Sequence, residues 1–255
     1  MTIENNKILP IIEVYRCIQG EGPYVGVPHI LIRFTGCPLR CQFGNSFCDT
    51  PYASWKPEKG NFTFEDILKV YQDNPQISYT LITGGSPTIH AELLKDLTHY
   101  ISKHFNHLIT IETEGTKFVE GLSPSCMISL SPKLASSKPT IGLVKPFGGE
   151  VTEYEQNLHE KNRANYDEMK KLIDTYGGWL KPVINGDTFQ NDIEEVKKIQ
   201  EILGIDNDNV YLMPAGMNEE QLRENRKTLV RYCIKNGYNY TDRLHVVIYG
   251  EKRGV

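Results

Sequence analysis

The chain has 255 residues, 39% hydrophobic and 24% charged, the composition of a folded globular protein with room for a substantial core. Its 28 bases against 32 acids give a net charge of −4 with no long basic run, so composition offers no argument for nucleic-acid binding. No apolar stretch approaches the roughly 20 residues of a membrane span, and the opening MTIENNKILP lacks a signal-peptide core; the expected compartment is the cytoplasm, where thiols stay reduced.

In chain order, the first buried strand is read at HILIRF (29–34). An arginine inside that apolar run, Arg33, asks for an anionic partner. FTGCPLRCQFGNSFCDTPYASW follows (34–55), with three of the six cysteines, Cys37, Cys41 and Cys48. Gly44-Asn45 marks a turn within it. TFEDILKVYQDN (63–74) starts a helix, with Thr63 and Asp66 in capping-box spacing. Then come strand YTLI (79–82), helix AELLKDLTHYISKHF (91–105), and strands LITIE (108–112) and MISLS (127–131).

The polar segment 134–166 reads as an excursion on one face rather than a second domain, so 1–255 is expected to be a single domain. Strand LKPVI (180–184) is followed by a helix over NDIEEVKKIQEIL (191–203), with Ile193, Val196, Ile199 and Ile202 on one side. Strand VYLM (210–213) precedes a helix capped by Asn218, and LHVVIY (244–249) reads as a last buried strand carrying His245. Strands alternating with helices predict a mostly parallel α/β sheet, doubly wound or a full or partial barrel.

TGGSP (83–87), ETEGT (112–116), SPK (131–133) and PAG (214–216) each follow a predicted strand. Ligands bind at the carboxyl ends of parallel strands, so four such turns on one end predict a shared pocket. Three thiolates suit a 4Fe–4S cluster whose fourth iron stays open, while a three-ligand catalytic zinc fits the same residues. Cys17, Cys126 and Cys233 stand alone and are expected as buried core thiols. Glu112 fits a metal ligand or a loop-orienting carboxylate, His245 a core or a site histidine, and Lys145 and Lys181 read as solvated or structural.

The segments EVYRCIQGEGPYVGVPHILIRFTGCPLRC, FCDTPYASW, LITGGSP, TIETEGT, SLSPKLASS, VYLMPAG and RLHVVIYGEKRGV cover nearly the whole chain. Together they resemble the radical S-adenosylmethionine enzymes, and within them the 7-carboxy-7-deazaguanine synthase family. The resemblance implies a partial, open (β/α) barrel. It also implies radical ring contraction of 6-carboxy-5,6,7,8-tetrahydropterin to 7-carboxy-7-deazaguanine with loss of ammonia, a lyase reaction of the queuosine-type 7-deazapurine pathway.

By the same resemblance, Cys37, Cys41 and Cys48 ligate a 4Fe–4S cluster whose open iron takes the methionyl end of S-adenosylmethionine. Phe47, Cys48 and Asp49 lie toward its adenine, Gly84, Gly85 and Ser86 beneath its methionine, and Ser131, Pro132 and Lys133 on the ribose and carboxylate side. Ile18, Gln19, Gly20 and Glu21 meet the pterin, together with Thr83; Arg33 clamps its carboxylate, and Thr50 ligates Mg²⁺. A homodimer and an electron donor such as flavodoxin or ferredoxin are implied as partners, with no nucleic acid and no membrane.

Two features depart from the family's pattern. Six residues, rather than the usual two, separate Cys41 from Cys48, which requires a bulge that still returns Cys48 to the cluster. Ser86 stands where most relatives have the glutamate that receives the methionyl ammonium, leaving Glu112 or Glu114 as the nearest acids by motif. The alternative functions are a glycyl-radical-enzyme activase, which shares the cysteine loop, and a non-enzymatic zinc-stabilised binding protein.

Overall fold

The computed structural model describes residues 6–44, 46–250 and 252–255. The chain opens with β1 (Ile11–Ile18) and β2 (Pro28–Phe34), and the cysteine loop carries the short β3 (Gln42–Phe43) and β4 (Ser46–Phe47). Then follow α1 (Phe64–Gln72), β5 (Tyr79–Gly84), α2 (Ala91–Phe105), β6 (Leu108–Thr113), β7 (Cys126–Leu130), α3 (Glu153–Arg163) and α4 (Tyr166–Tyr176). The last third holds β8 (Gly178–Leu180), β9 (Val183–Ile184), α5 (Phe189–Leu203), β10 (Tyr211–Pro214), α6 (Glu219–Asn236), β11 (Asn239–Tyr240) and α7 (Leu244–Tyr249).

Six strands hydrogen-bond in the order β1-β2-β5-β6-β7-β8, and β11-β10-β9 form a second set. A bridge from Leu180 to Val210, and the shared segment 178–184, continue one curved sheet into the other. Every pairing from β2 onward in this sheet is parallel, whereas β1 runs antiparallel to β2. The sheet does not close, so the architecture is a partial (β/α) barrel. Pro182 breaks the segment read as one strand over LKPVI, because it has no N–H to donate; its carbonyl instead accepts from Met213 N at 3.1 Å.

Side-chain alternation sorts the sheet into two faces. Ile30, Ile32, Ile82, Ile109, Ile111, Ile128 and Leu180 turn toward the helices and form the main core with residues such as Leu94, Leu97, Ile193, Val196 and Ile199. The opposite, concave face carries Glu13, Arg33, Thr83, Glu112 and Ser129 in one row, fixed by register across β1, β2, β5, β6 and β7. Deeper on that face an aromatic layer closes the bottom: Tyr24 lies 5.5 Å from Tyr79 and 5.7 Å from Trp179, and His29 5.2 Å from Tyr79.

The capping box of α1 forms as read, with Thr63 Oγ1 accepting from Asp66 N at 3.2 Å and the Asp66 carboxylate from Thr63 N at 2.8 Å. LHVVIY, read as a strand, is the helix α7. Only Val246 of this run is buried, while Val247, Ile248 and Tyr249 are 43–53% exposed, so the apolar stretch never had a sheet interior to fill. Short apolar runs do not separate strand from buried helix by pattern alone. The 134–166 excursion contains α3, capped by Thr152 and Glu155. Its single buried side chain, His159, accepts from Arg40 N at 3.2 Å through Nδ1, which puts the ring proton on Nε2, facing Ser137 Oγ at 3.1 Å. Asn162 Nδ2 donates to Pro38 O at 3.1 Å, so α3 braces the cysteine loop from behind.

Candidate active site

The cysteine loop leaves β2 at the carboxyl end of the sheet. The six residues between Cys41 and Cys48 contain an antiparallel hairpin, Gln42 opposite Phe47 and Phe43 opposite Ser46, and Cys48 N donates to Cys41 O at 3.1 Å. This hairpin takes up the longer spacing and brings the third cysteine back beside the second. Asn45, half of the expected turn dipeptide, lies outside the described residues. Phe47 packs edge-on to Trp55 at 5.2 Å and near Phe147 at 5.8 Å, so its ring anchors the hairpin in a small apolar cluster.

Burial pushes the Cys37 and Cys41 thiols up, and Glu114 pushes them further. For Cys48, burial acts first and Asp49 second. Such thiols shed their protons on binding metal. Soft sulfur donors on one loop suit an iron–sulfur cluster. Among the described residues no group of three or more His, Cys, Asp or Glu side chains stands placed to hold a metal ion, the three cysteines included.

Close backbone packing requires the GG pair. A Cβ on Gly85 would lie 2.3 Å from both Ala53 O and Gly36 O, and one on Gly84 2.3 Å from Phe34 O. Ser86 N also donates to Gly36 O at 2.8 Å. The glycines thus let the β5 end lie against the backbone of the cysteine loop itself. Ser131 and Lys133 follow β7; Lys133 Nζ donates to Ser131 O at 2.9 Å and Oγ at 2.7 Å, and its charge reaches Cys41. Pro132 between them is buried.

On the concave face, Arg33 pairs with Glu13, which also pairs with Arg253 from the C-terminal segment. Thr83 Oγ1 donates to Glu112 Oε2 at 3.0 Å. Lys181, 3% exposed, reaches Glu112 at 3.1 Å and pairs with Glu21. Burial overturns its reading as solvated and leaves the structural one standing, with both ion pairs lying within the candidate site; a lysine within an apolar strand run was the available signal, the same one that marks Arg33. Lys145 pairs with Glu155 at 2.8 Å outside this row.

Arg243, not singled out from the sequence, joins three loops: its Nε is 3.3 Å from Glu21, its Nη1 donates to Gly216 O at 2.7 Å, and its Nη2 pairs with Asp49. Burial raises the Glu21 carboxyl, but Lys181 and Arg243 outweigh it and hold the group below the usual carboxylate range. Arg243 does the same for Asp49.

The Gln19 side-chain oxygen accepts from Gly20 N at 2.7 Å and Glu21 N at 3.2 Å, so part of this residue is committed to shaping its own loop. Gly20 is packed so closely that a Cβ would meet His245 Nδ1 at 2.1 Å, and His245 Nε2 lies 3.9 Å from Glu21. Ile18, at the end of β1, is 37% exposed. Thr50 Oγ1 is 3.4 Å from Cys48 Sγ, and its carbonyl accepts from Ser54 Oγ at 2.9 Å, a turn role beside the cysteine. Of the lone cysteines, Cys126 and Cys233 are buried as expected, while Cys17 on β1 is half-buried.

The structure therefore gathers the cysteine loop, the four strand-end turns and the QGEG segment around one mouth, with a charged row beneath. No family model matches the chain. It is 36% identical over 249 residues to the 7-carboxy-7-deazaguanine synthase of Rhodopirellula baltica, covering 96% of this chain and 88% of that protein. With the enzyme of the same name from Halobacterium salinarum it shares 32% identity, over 95% and 91% of the two chains. The crystal structure of QueE from Escherichia coli matches with a TM-score of 0.57 and 25% identity, covering 92% of this chain and 94% of that one. Near-complete coverage at these identities leads to one conclusion: this chain belongs to the 7-carboxy-7-deazaguanine synthase family of radical S-adenosylmethionine enzymes.

Proposed function

We propose that the concave face binds 6-carboxy-5,6,7,8-tetrahydropterin beneath a 4Fe–4S cluster on Cys37, Cys41 and Cys48, and that the enzyme converts it to 7-carboxy-7-deazaguanine with loss of ammonia. One observation carries the reading: the three-cysteine loop and the row Arg33, Thr83, Glu112 and Lys181 open on the same carboxyl end of the sheet. A flat heterocycle bearing a carboxylate needs a cation at one end and hydrogen-bond acceptors along its edge. Arg33 supplies the cation, with a planar fork that matches a carboxylate. Glu21, kept ionised by Lys181 and Arg243, has lone pairs left to accept from ring N–H groups. Gln19 fixes the backbone that presents Glu21.

Phe47, Asp49, Gly84, Gly85, Ser86, Ser131, Pro132 and Lys133 would frame S-adenosylmethionine, with Ile18, Gly20 and Thr83 on the pterin. Once bound, cluster and S-adenosylmethionine supply the one-electron chemistry. The protein's residues orient the pterin and keep water from it. Thr50 is our candidate ligand for Mg²⁺. The proposal extends to one domain over 1–255, a homodimer, and a flavodoxin- or ferredoxin-type donor. Among the described residues no helix is long and apolar enough to cross a membrane.

The test is anaerobic incubation with the tetrahydropterin, S-adenosylmethionine and a reductant, with mass analysis of the products. Cofactor cleavage without 7-carboxy-7-deazaguanine would sink the substrate assignment. Arg33→Lys should weaken pterin binding about tenfold or more while leaving S-adenosylmethionine binding unchanged, since a point charge replaces the fork. Equal weakening of both would make Arg33 structural.

A further inference from the structure

Glu114 lies one residue beyond β6, on the end of the sheet that carries the cysteine loop, and is 4% exposed. Its Oε1 accepts from Ser86 Oγ at 2.6 Å and from Thr116 Oγ1 at 2.6 Å. Its Oε2 is buried and has no partner among the described residues. The hydroxyls behind it settle their own direction. Ser86 is 3.2 Å from Thr88 Oγ1, which is 3.4 Å from Thr113 Oγ1, and Thr113 Oγ1 accepts from Gly115 N at 3.1 Å.

A hydroxyl has one proton. Because Ser86 gives its proton to Glu114, Thr88 donates to Ser86 and Thr113 to Thr88, so the whole chain points its donors at one carboxylate oxygen. This arrangement solvates an anion. Yet the anion lacks what a buried carboxylate ordinarily has: no lysine, arginine or histidine among the described residues pairs with it. Every other carboxylate of the site does have a cation: Glu21 has Lys181 and Arg243, Glu112 has Lys181, Asp49 has Arg243, and Glu13 has Arg33. The missing partner of Glu114 is a cation that arrives from outside, beside the cysteine loop, because Ser86, which holds Oε1, also donates its N–H to Gly36 O at 2.8 Å, one residue before Cys37.

We infer that Glu114, held by Ser86 and Thr116, is the carboxylate that receives the ammonium of S-adenosylmethionine. Ser86 is then a positioning residue: its hydroxyl holds Oε1 and leaves Oε2 for the ligand. A glutamate at 86 and one at 114 would crowd two charges into one buried place, which gives the serine a physical reason. The inference rests on the proposed cofactor site but is separable from it.

Calorimetric titration of reconstituted protein with S-adenosylmethionine, without pterin, tests it. Glu114→Gln, nearly isosteric, should weaken binding roughly ten- to a hundredfold with iron and sulfide content unchanged. 5′-Methylthioadenosine, which has no ammonium, should bind wild type and variant equally. The exchange Ser86→Glu with Glu114→Ser, which preserves volume and moves the charge, should recover much of the lost affinity. Unchanged S-adenosylmethionine binding by Glu114→Gln overturns the inference, as does equal weakening of both ligands. An exchange variant that binds 5′-methylthioadenosine normally but S-adenosylmethionine no better than Glu114→Gln overturns it too. A wild-type protein that takes up no cluster, or binds no S-adenosylmethionine once loaded, defeats instead the proposed function.

Discussion

Lys181 is the residue on which the concave face's charges balance, and its removal has a calculable cost. Lys181→Met keeps the length and the apolar stem but takes the cation from two carboxylates. Glu21 retains Arg243 at 3.3 Å, whereas Glu112 retains only the Thr83 hydroxyl at 3.0 Å. Glu112 is therefore the charge left uncompensated. Removing one partner of a buried pair costs about 3–5 kcal/mol. The Glu112 side chain is 19% exposed, so water recovers part of its solvation and the lower end, about 3 kcal/mol, applies.

For a chain of this size that corresponds to a Tm lower by about 6–12 °C. Adding Glu112→Gln removes the stranded charge, so the double variant should sit only ~1 kcal/mol below wild type. The coupling, about 2 kcal/mol plus whatever Glu112→Gln costs alone, is read from urea midpoints of cluster-free protein across the four members of the cycle. Additive losses, or a single-variant loss under about 1 kcal/mol, would refute the view that Lys181 neutralises Glu112.

Two further outcomes follow from packing and titration. Gly85→Ala places a Cβ 2.3 Å from two backbone carbonyls of the cysteine loop, so it should lower both stability and iron content after reconstitution; equal iron in Gly85→Ala and wild type would contradict the packing. Burial pushes His159 down to about 3, with Arg163 and other nearby cations adding, so the folded state refuses a proton that the unfolded chain takes up below about 6.5; stability is complete above that pH and falls as pH drops toward 3, by ~2 kcal/mol at pH 5. His159→Gln should flatten this slope in urea midpoints between pH 7.5 and 5, and identical slopes would refute the assignment.

The main parallel strands and four of the helices were legible because their patterns coincide with what buries them. Ile193, Val196 and Ile199 are all buried on α5, and the Thr63–Asp66 capping box forms. The strand-end turns were legible as a group because a parallel sheet delivers all its carboxyl ends to one side. Other elements were not. β1 alternates Glu13, Tyr15 and Cys17 with Ile12, Val14 and Arg16, which gives no clean two-face signal. α3 has Leu158 as its one aliphatic residue and buries only His159, so composition showed it as part of a polar excursion rather than as a helix. Arg243 was invisible as a site residue because its three partners, Glu21, Asp49 and Gly216, lie 222, 194 and 27 positions away.

The charges inside the barrel divide into two kinds, and the division follows from desolvation. Glu13, Glu21, Glu112 and Asp49 are each matched by a cation of the chain, so the face proposed for the pterin is neutralised before any ligand arrives. A ligand there exchanges partners with groups already oriented, and little reorganisation is needed. Glu114 is held by hydroxyls alone, which orient a carboxylate without cancelling its charge. Its burial without a cation costs stability that a matched pair would not. A cationic ligand removes that cost on binding, so part of the affinity at this end comes from relieving the protein rather than from new contacts. Hydroxyls, and not a lysine, line its back for the same reason: an internal cation would have satisfied Oε2 and left nothing for a ligand's ammonium to meet.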